Sequence, residues 1–279
     1  MTNKPNQHNQ HTMKLKPGAH LILVCNDKGG SCKSSATAEA RVAAHMMGLR
    51  HRLVTFDQSN DTLHRAFRGK GVHTLAKPNG DVLLESFGRH IDEARANGEL
   101  IIADMPPGIT DQDNPILHAF KESTVFEEFD SIALIIPVIP HHDHIKGAFD
   151  ALAAYEAVPI THTRGLVRSW RPDPNGPPWT SFPTYATLLK KFPVWECGTW
   201  MQSFADIMQE HGTFSAFPGL DELPEYFATE SPKMSTHQRR ALLGAVAHLE
   251  KAREAIQRHL LDPITEPATK PLANGGASA

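Results

Sequence analysis

An unbroken apolar run, Leu21-Ile22-Leu23-Val24, leads into Asn26-Asp27-Lys28-Gly29-Gly30-Ser31-Cys32-Lys33-Ser34-Ser35, and an alanine-rich stretch of helical composition follows from Ser34 to Leu49. Strand, glycine-bearing loop and helix in that order constrain the fold more than any other feature of the chain. Gly29 and Gly30 let backbone N–H groups close around phosphate oxygens, and the helix N-terminus behind them favours negative charge. Lys33 can reach terminal phosphates and the Ser34 hydroxyl can ligate Mg²⁺. The segment reads as a nucleotide site in which Gly29, Gly30, Ser31, Cys32, Lys33, Ser34 and Ser35 hold the phosphates.

Further along, apolar strand-like runs near 21–25, 52–56, 100–104, 131–138 and 160–168 alternate with helical stretches. That alternation predicts an α/β fold, a doubly wound, mostly parallel sheet with helices on both faces. Right-handed crossovers would gather the loops carrying Lys33, Asp57 and Asp104 at the carboxyl edge of the sheet. A chain of 279 residues with 40% hydrophobic content is enough for one sizeable core, expected over 18–262. Residues 1–17, rich in Asn, Gln, His and Lys, and 263–279, rich in Pro, Gly and Ala, are expected as disordered tails. Between 171 and 197 lies a Pro- and Trp-rich insertion whose proline density argues against regular secondary structure, either a loop over the sheet edge or a partner-binding element.

Net charge is −3, so no global basic field announces nucleic acid, and DNA contact would need a local patch. No apolar run approaches the roughly 18 to 20 residues of a membrane span, and the polar N-terminus lacks a signal-peptide core, so a cytoplasmic protein is expected. Cys25, Cys32 and Cys197 are too few and too scattered for a disulfide framework or a closed zinc site. Cys32 sits beside N–H dipoles and a lysine, conditions that lower a thiol pKa; otherwise it is simply a tolerated small residue.

Lys28-Gly29-Gly30-Ser31-Cys32-Lys33-Ser34 resembles the deviant Walker A motif of the ParA/MinD group of P-loop ATPases, K-G-G-x-x-K-[ST]. Leu100-Ile101-Ile102-Ala103-Asp104-Met105-Pro106-Pro107-Gly108 is similar to the group's strand ending in D-x-P-P-G, and Leu53-Val54-Thr55-Phe56-Asp57-Gln58-Ser59-Asn60 to its switch region. The resemblance implies ATP and Mg²⁺ as cofactors, with Ser34, Asp57 and Asp104 around the metal and Lys28, Asp57 and Asp104 in catalysis. It further implies a positional switch that partitions a plasmid, chromosome region or other cargo, with an ATP-bound homodimer in which Lys28 reaches the partner's phosphates, nonspecific DNA binding, nucleoid association, and a partner protein that stimulates hydrolysis. From the residues alone, Asp57 can also be read as a turn former or helix cap and Asp104-Met105-Pro106-Pro107 as a strand terminator. Cys32 replaces the glycine usual before the P-loop lysine, Thr55 replaces the first aspartate of an Asp-x-Asp pair, and Leu166-Val167-Arg168-Ser169-Trp170 offers no asparagine for an adenine. Slow hydrolysis is the expected consequence. Two other classes remain: a metabolic P-loop enzyme that uses ATP to activate a small substrate, and a non-hydrolysing adaptor.

Three local expectations complete the reading. In His141-His142-Asp143-His144, Asp143 is expected as the N-cap of a helix beginning at Ile145, in preference to a metal cluster. Trp200, Phe204, Ile207 and Met208 recur at helical spacing and are expected in the core. A last helix from Thr236 to Leu261 carries Leu242, Val246, Leu249, Ile256 and Leu260 on one stripe and Arg239, Arg240, Lys251, Arg253 and Arg258 off it, a solvated face or, by the resemblance, a DNA surface. The tail after it has no large apolar face, which disfavours MinD-type membrane targeting.

Overall fold

The structure is a computed structural model that describes residues 13–57, 61–75, 80–108, 114–156, 164–173, 175–209 and 217–266. Among the described residues seven strands, β1 (His20–Val24), β2 (His51–Thr55), β3 (Val72–Thr74), β4 (Leu100–Asp104), β5 (Ser131–Val138), β6 (Arg164–Trp170) and β7 (Val194–Cys197), form one sheet. Their order is β3-β2-β4-β1-β5-β6-β7 and every pairing is parallel. The expected doubly wound sheet is therefore present, with two edge strands that the apolar pattern did not signal.

Side chains alternate between two cores, as a sheet buried on both faces requires. Ile22, Val24, Ile102 and Ile135 face a cluster completed by α1 (Lys33–Met46), α7 (Met201–Met208), α8 (Leu223–Glu230) and α9 (Thr236–Ile256). Leu21, Leu23, Ile101 and Leu134 face the other, covered by α3 (Gly80–Asn97), α4 (Pro115–Glu122), α5 (His142–Glu156) and α6 (Pro183–Lys191). A short α2 (Thr62–Ala66) follows β2. In α3 the buried residues Leu83, Phe87, Ile91 and Ala94 repeat every three or four positions, the stripe of a helix lying on a sheet.

The 171–197 region corrects the sequence reading. It holds a 3₁₀ turn at Trp179–Ser181, then α6, then β7. Its prolines punctuate these elements without abolishing them: Pro183 occupies the first turn of α6, where its missing N–H is no loss. Pro193 precedes β7, and its carbonyl accepts from Val167 N at 2.9 Å. Pro174 lies outside the described residues.

Residues 13–17 and 263–266, expected within the tails, pair with each other. Leu15 bridges Thr265, Lys16 N donates to Ile264 O at 2.8 Å, and Glu266 N donates to Lys14 O at 2.8 Å. Residues 1–12 and 267–279 lie outside the described part. The expected last helix appears as α9 followed by a wider π turn over Gln257–Leu261, and it opens with a capping box between Ser235 and Gln238. Phe204, Ile207 and Met208 are buried as expected, but Trp200 is 40% exposed, because it precedes α7 and lies against Gly244 at the surface. Among the described residues no helix is long and apolar enough to cross a membrane.

Candidate functional site

Strand register assembles the site. Val24 of β1 and Thr55 of β2 both pair with Asp104 of β4, so three strand ends lie in one row at the carboxyl edge. The loop leaves β1 under restraint from both sides. Asn26 Nδ2 donates to Pro137 O at 2.8 Å and His144 O at 3.0 Å, while its Oδ1 accepts from Lys28 N at 2.8 Å. Asp27 N donates to Gly147 O at 3.1 Å, and Asp27 O accepts from Gly108 N at 2.8 Å. A Cβ on Gly147 would lie 2.7 Å from Asn26 Oδ1 and 2.9 Å from Lys28 N, so only glycine lets α5 come this close to the loop.

The loop then turns through Gly30 (φ 74°) and Cys32 (φ 64°, ψ 32°), and α1 starts at Lys33. The position that resembled P-loops carry as glycine is thus left-handed here, a conformation that costs a non-glycine residue roughly 1–2 kcal/mol. Ser31 Oγ is buried and has no hydrogen-bond partner. A buried hydroxyl without a partner, in a loop of this shape, fits a phosphate oxygen.

Charge is concentrated beneath the loop. Lys33 is 8% exposed and its Nζ donates to Lys28 O at 3.0 Å. Burial lowers the Lys33 pKa, and Asp104 and Asp57 oppose that effect. Asp104 is 2% exposed and accepts from Thr37 Oγ1 at 2.9 Å and Ser34 Oγ at 3.3 Å. Burial pushes its carboxyl up to about 6 against those hydroxyls and Lys33, and Asp57 pushes the same way. Phe56 is packed against Phe87 and Phe120 at ring distances of 5.2 and 5.6 Å, which anchors the chain between Thr55 and Asp57. Asp57 N donates to Thr55 Oγ1 at 3.1 Å, so Thr55 shapes the turn that carries Asp57. Ser34, Asp57 and Asp104 supply hard oxygen donors, and a carboxyl raised by burial gains from a nearby cation, so this set fits Mg²⁺. Gln58, Ser59 and Asn60 lie outside the described residues.

The two lysines differ. The Lys28 side chain is 49% exposed and its Nζ lies 3.7 Å from Asp143 Oδ2. Asp143 is not the N-cap expected: α5 begins at His142, so Asp143 falls inside the first turn, and its amide donates to His141 Nδ1 at 3.3 Å. The lowered thiol pKa considered for Cys32 is also corrected, since burial raises it and Arg168 only partly opposes the rise. Cys25 is pushed up to about 12 by burial.

Behind the loop lies a buried cluster that no sequence pattern singled out. Arg168 Nε and Nη2 each donate to Glu39 at 2.6 Å, and His248 Nε2 lies 2.7 Å from Glu39 Oε1. Burial alone would raise the Glu39 carboxyl, yet Arg168 and His248 hold it below the ordinary value. The cluster ties α1, β6 and α9 together, and its one sequence signal was an arginine inside the apolar strand Leu166-Val167-Arg168. Gly147 and Thr37 were missed as well, because each acts through a contact distant in sequence.

No protein-family model and no curated protein matches the chain. Among solved structures, the MinC:MinD cell division protein complex of Aquifex aeolicus is similar with a TM-score of 0.51 and 13% identity over 90% of this chain and 99% of that one. The MinD cell division protein of Aquifex aeolicus gives 0.49 and 14% over 86% and 98%, and pnob8 ParA gives the same four values. At such identities the likeness is one of fold. With its parallel seven-stranded sheet and the loop between β1 and α1, the chain has the P-loop NTPase fold.

Proposed function

We propose that the chain is an ATP-dependent, dimerising switch ATPase of the ParA type. The observation that carries this reading is the difference in burial and partners between its two loop lysines. Lys33 is buried under the loop beside Asp104 and Asp57, where a terminal phosphate would need its charge, whereas the Lys28 side chain is half exposed and meets Asp143 in a surface pair. Such a pair is worth about 0–1 kcal/mol, so Lys28 can leave it for a partner subunit's nucleotide at little cost.

In this reading Gly29, Gly30, Ser31, Cys32, Lys33, Ser34 and Ser35 enclose the phosphates of ATP. Ser34, Asp57 and Asp104 would hold Mg²⁺, which when bound neutralises charge on the phosphates. Lys33 and the partner's copy of the exposed lysine stabilise charge where it builds up, and Asp57 orients the attacking water. Thr55 in place of an acid and the strained Cys32 make hydrolysis slow. The strained Cys32 also favours a second reading, an adaptor that binds ATP without hydrolysing it.

Cargo positioning follows from the same resemblance. The Aquifex structure is of MinD with MinC, which supports the expectation of a protein partner. A DNA surface on the dimer would rest on Arg239, Arg240, Lys251 and Arg258, because the charge of Arg253 is paired with the Glu250 carboxylate at 3.3 Å, whereas Arg239 donates to the neutral Ser231 carbonyl at 3.0 Å. Binding to random duplex should then require ATP and weaken steeply with salt, and replacing Arg239 and Arg240 with alanine should flatten the salt slope.

Nucleotide binding and turnover test the reading. Lys33→Ala is expected to abolish ATP binding; Asp57→Ala is expected to bind ATP normally and turn it over more slowly. Unchanged turnover in Asp57→Ala would return Asp57 to turn formation, and a parent that binds ATP without any turnover would favour the adaptor.

A further inference from the structure

The first turn of α5 is locked to the phosphate loop. Asn26 Nδ2 donates to His144 O at 3.0 Å, Asp27 N donates to Gly147 O at 3.1 Å, and Gly147 lets the backbone at Lys28 come closer than a Cβ would allow. These contacts set where the His144 side chain reaches. Its Cε1 lies 3.9 Å from the point at which Gly30 would carry a Cβ, so the ring stands against a residue of the loop itself. Cε1 is bonded to both ring nitrogens, and the side of the imidazole nearest Gly30 is therefore its polar edge. The His141 ring lies edge-on at 5.6 Å, and among the described residues the His144 ring makes no hydrogen bond.

Lys28 and Lys33 act on this ring from the loop, and His141 and Asp143 from the connection into α5. Burial lowers the His144 pKa, His141, Lys28 and Lys33 lower it further, and Asp143 opposes them. Against these groups alone the imidazole is neutral at neutral pH. Lys33, which helps to hold the ring neutral, is also the lysine that the proposed site directs at a terminal phosphate. Phosphates seated in the loop would balance its charge and bring negative oxygens to Gly30, beside the polar edge of the ring. A nearby opposite charge favours the protonated form of an imidazole, and an imidazolium has an N–H donor at each nitrogen.

We propose that His144 is a phosphate ligand of the nucleotide site: it accepts a proton from solvent as the nucleotide binds and donates a charge-assisted hydrogen bond to a phosphate oxygen. The inference rests on the reading of the loop as a nucleotide site and adds to it a contact from α5, outside the loop, whose strength follows pH. The N-terminus of α5 also favours negative charge, so ring and helix act in the same sense.

Calorimetric titration with ADP and Mg²⁺ tests the assignment, because ADP fills the loop and in the proposed function leaves the protein monomeric. The full chain is compared with His144→Gln, which keeps a neutral donor but takes up no proton. The parent should bind ADP about tenfold more tightly than the variant near pH 6 and within about twofold of it near pH 8, the profile of a contact that needs the charged ring. Titrations in two buffers of different ionisation enthalpy should show that the parent takes up more protons on binding than the variant. Asp104 also titrates in this range, but in parent and variant alike, so the comparison isolates His144. His144→Ala provides a second replacement with the same expected pH profile, and circular dichroism confirms that each variant is folded. A ratio of affinities that does not change with pH, or equal proton uptake in parent and folded variants, would overturn the role of His144 and leave the nucleotide site standing. A parent that binds no nucleotide would overturn both.

Discussion

Replacing Asp104 with asparagine should stabilise the nucleotide-free protein while abolishing its Mg²⁺-dependent chemistry. Burial lifts the Asp104 carboxyl from 3.8 to about 6, with Asp57 acting in the same direction and Thr37, Ser34 and Lys33 opposing. The unfolded chain ionises this group near its ordinary value, so between those two values the native state binds more protons than the unfolded state. Stability therefore falls as pH rises through that window, and above it the whole penalty is present. At about 1.4 kcal/mol per pH unit, the penalty at neutral pH is roughly 3 kcal/mol. Asparagine keeps the shape: its Oδ1 can accept from Thr37, which now donates at 2.9 Å, and its Nδ2 can face Ser34 Oγ, now at 3.3 Å. Lys33 loses one carboxylate but keeps Asp57 nearby. Urea unfolding of parent and variant at pH 4.5 and 7.5 reads the effect, and the variant's advantage should grow by about 2 kcal/mol from the lower pH to the higher. A difference that does not change with pH, or that turns against the variant as pH rises, would refute a destabilising carboxylate at this position.

Cys32→Gly should gain roughly 0.5–1 kcal/mol in denaturant unfolding, because relief of the left-handed conformation exceeds the added flexibility of the unfolded chain. Gly147→Ala should displace Asn26 and Lys28, destabilise by about 1–3 kcal/mol, and lower ATP affinity measured by fluorescence titration; unchanged affinity would show that α5 does not position the loop. Arg168→Met should cost about 3–5 kcal/mol by leaving Glu39 buried beside His248 alone, and adding Glu39→Gln should recover part of that loss in the same unfolding assay.

Much of this molecule was readable from local pattern. The strand, loop and helix around Lys33 lie within one stretch of chain, and the apolar run before Asp104 placed that carboxylate at a strand end beside the loop, where β1 and β4 do pair Val24 with Asp104. What escaped depends on contacts between distant segments. Glu39 meets Arg168 across 129 positions and His248 across 209, and nothing local in an alanine-rich helix marks a glutamate as buried. Gly147 is constrained by Asn26, which looked like an ordinary loop residue. β7 is hidden because proline density argues against regular structure, although prolines at the first turn of a helix or just before an edge strand are compatible with both. β3 has three residues, too few to show a period. Asp143 was misassigned by three residues of helix boundary, and that shift is what brings its carboxylate to Lys28.

The separation of roles between Lys28 and Lys33 is tested most directly by sedimentation velocity with Mg²⁺ and either ADP or a non-hydrolysable ATP analogue. The parent should sediment as a monomer with ADP and as a dimer with the analogue. Lys28→Ala should bind the analogue about as tightly as the parent, within a few-fold because only a surface ion pair is lost, yet remain a monomer. A Lys28→Ala protein that dimerises with the analogue as fully as the parent, or a parent that stays monomeric while saturated with it, would contradict the proposal that this chain is a dimerising switch.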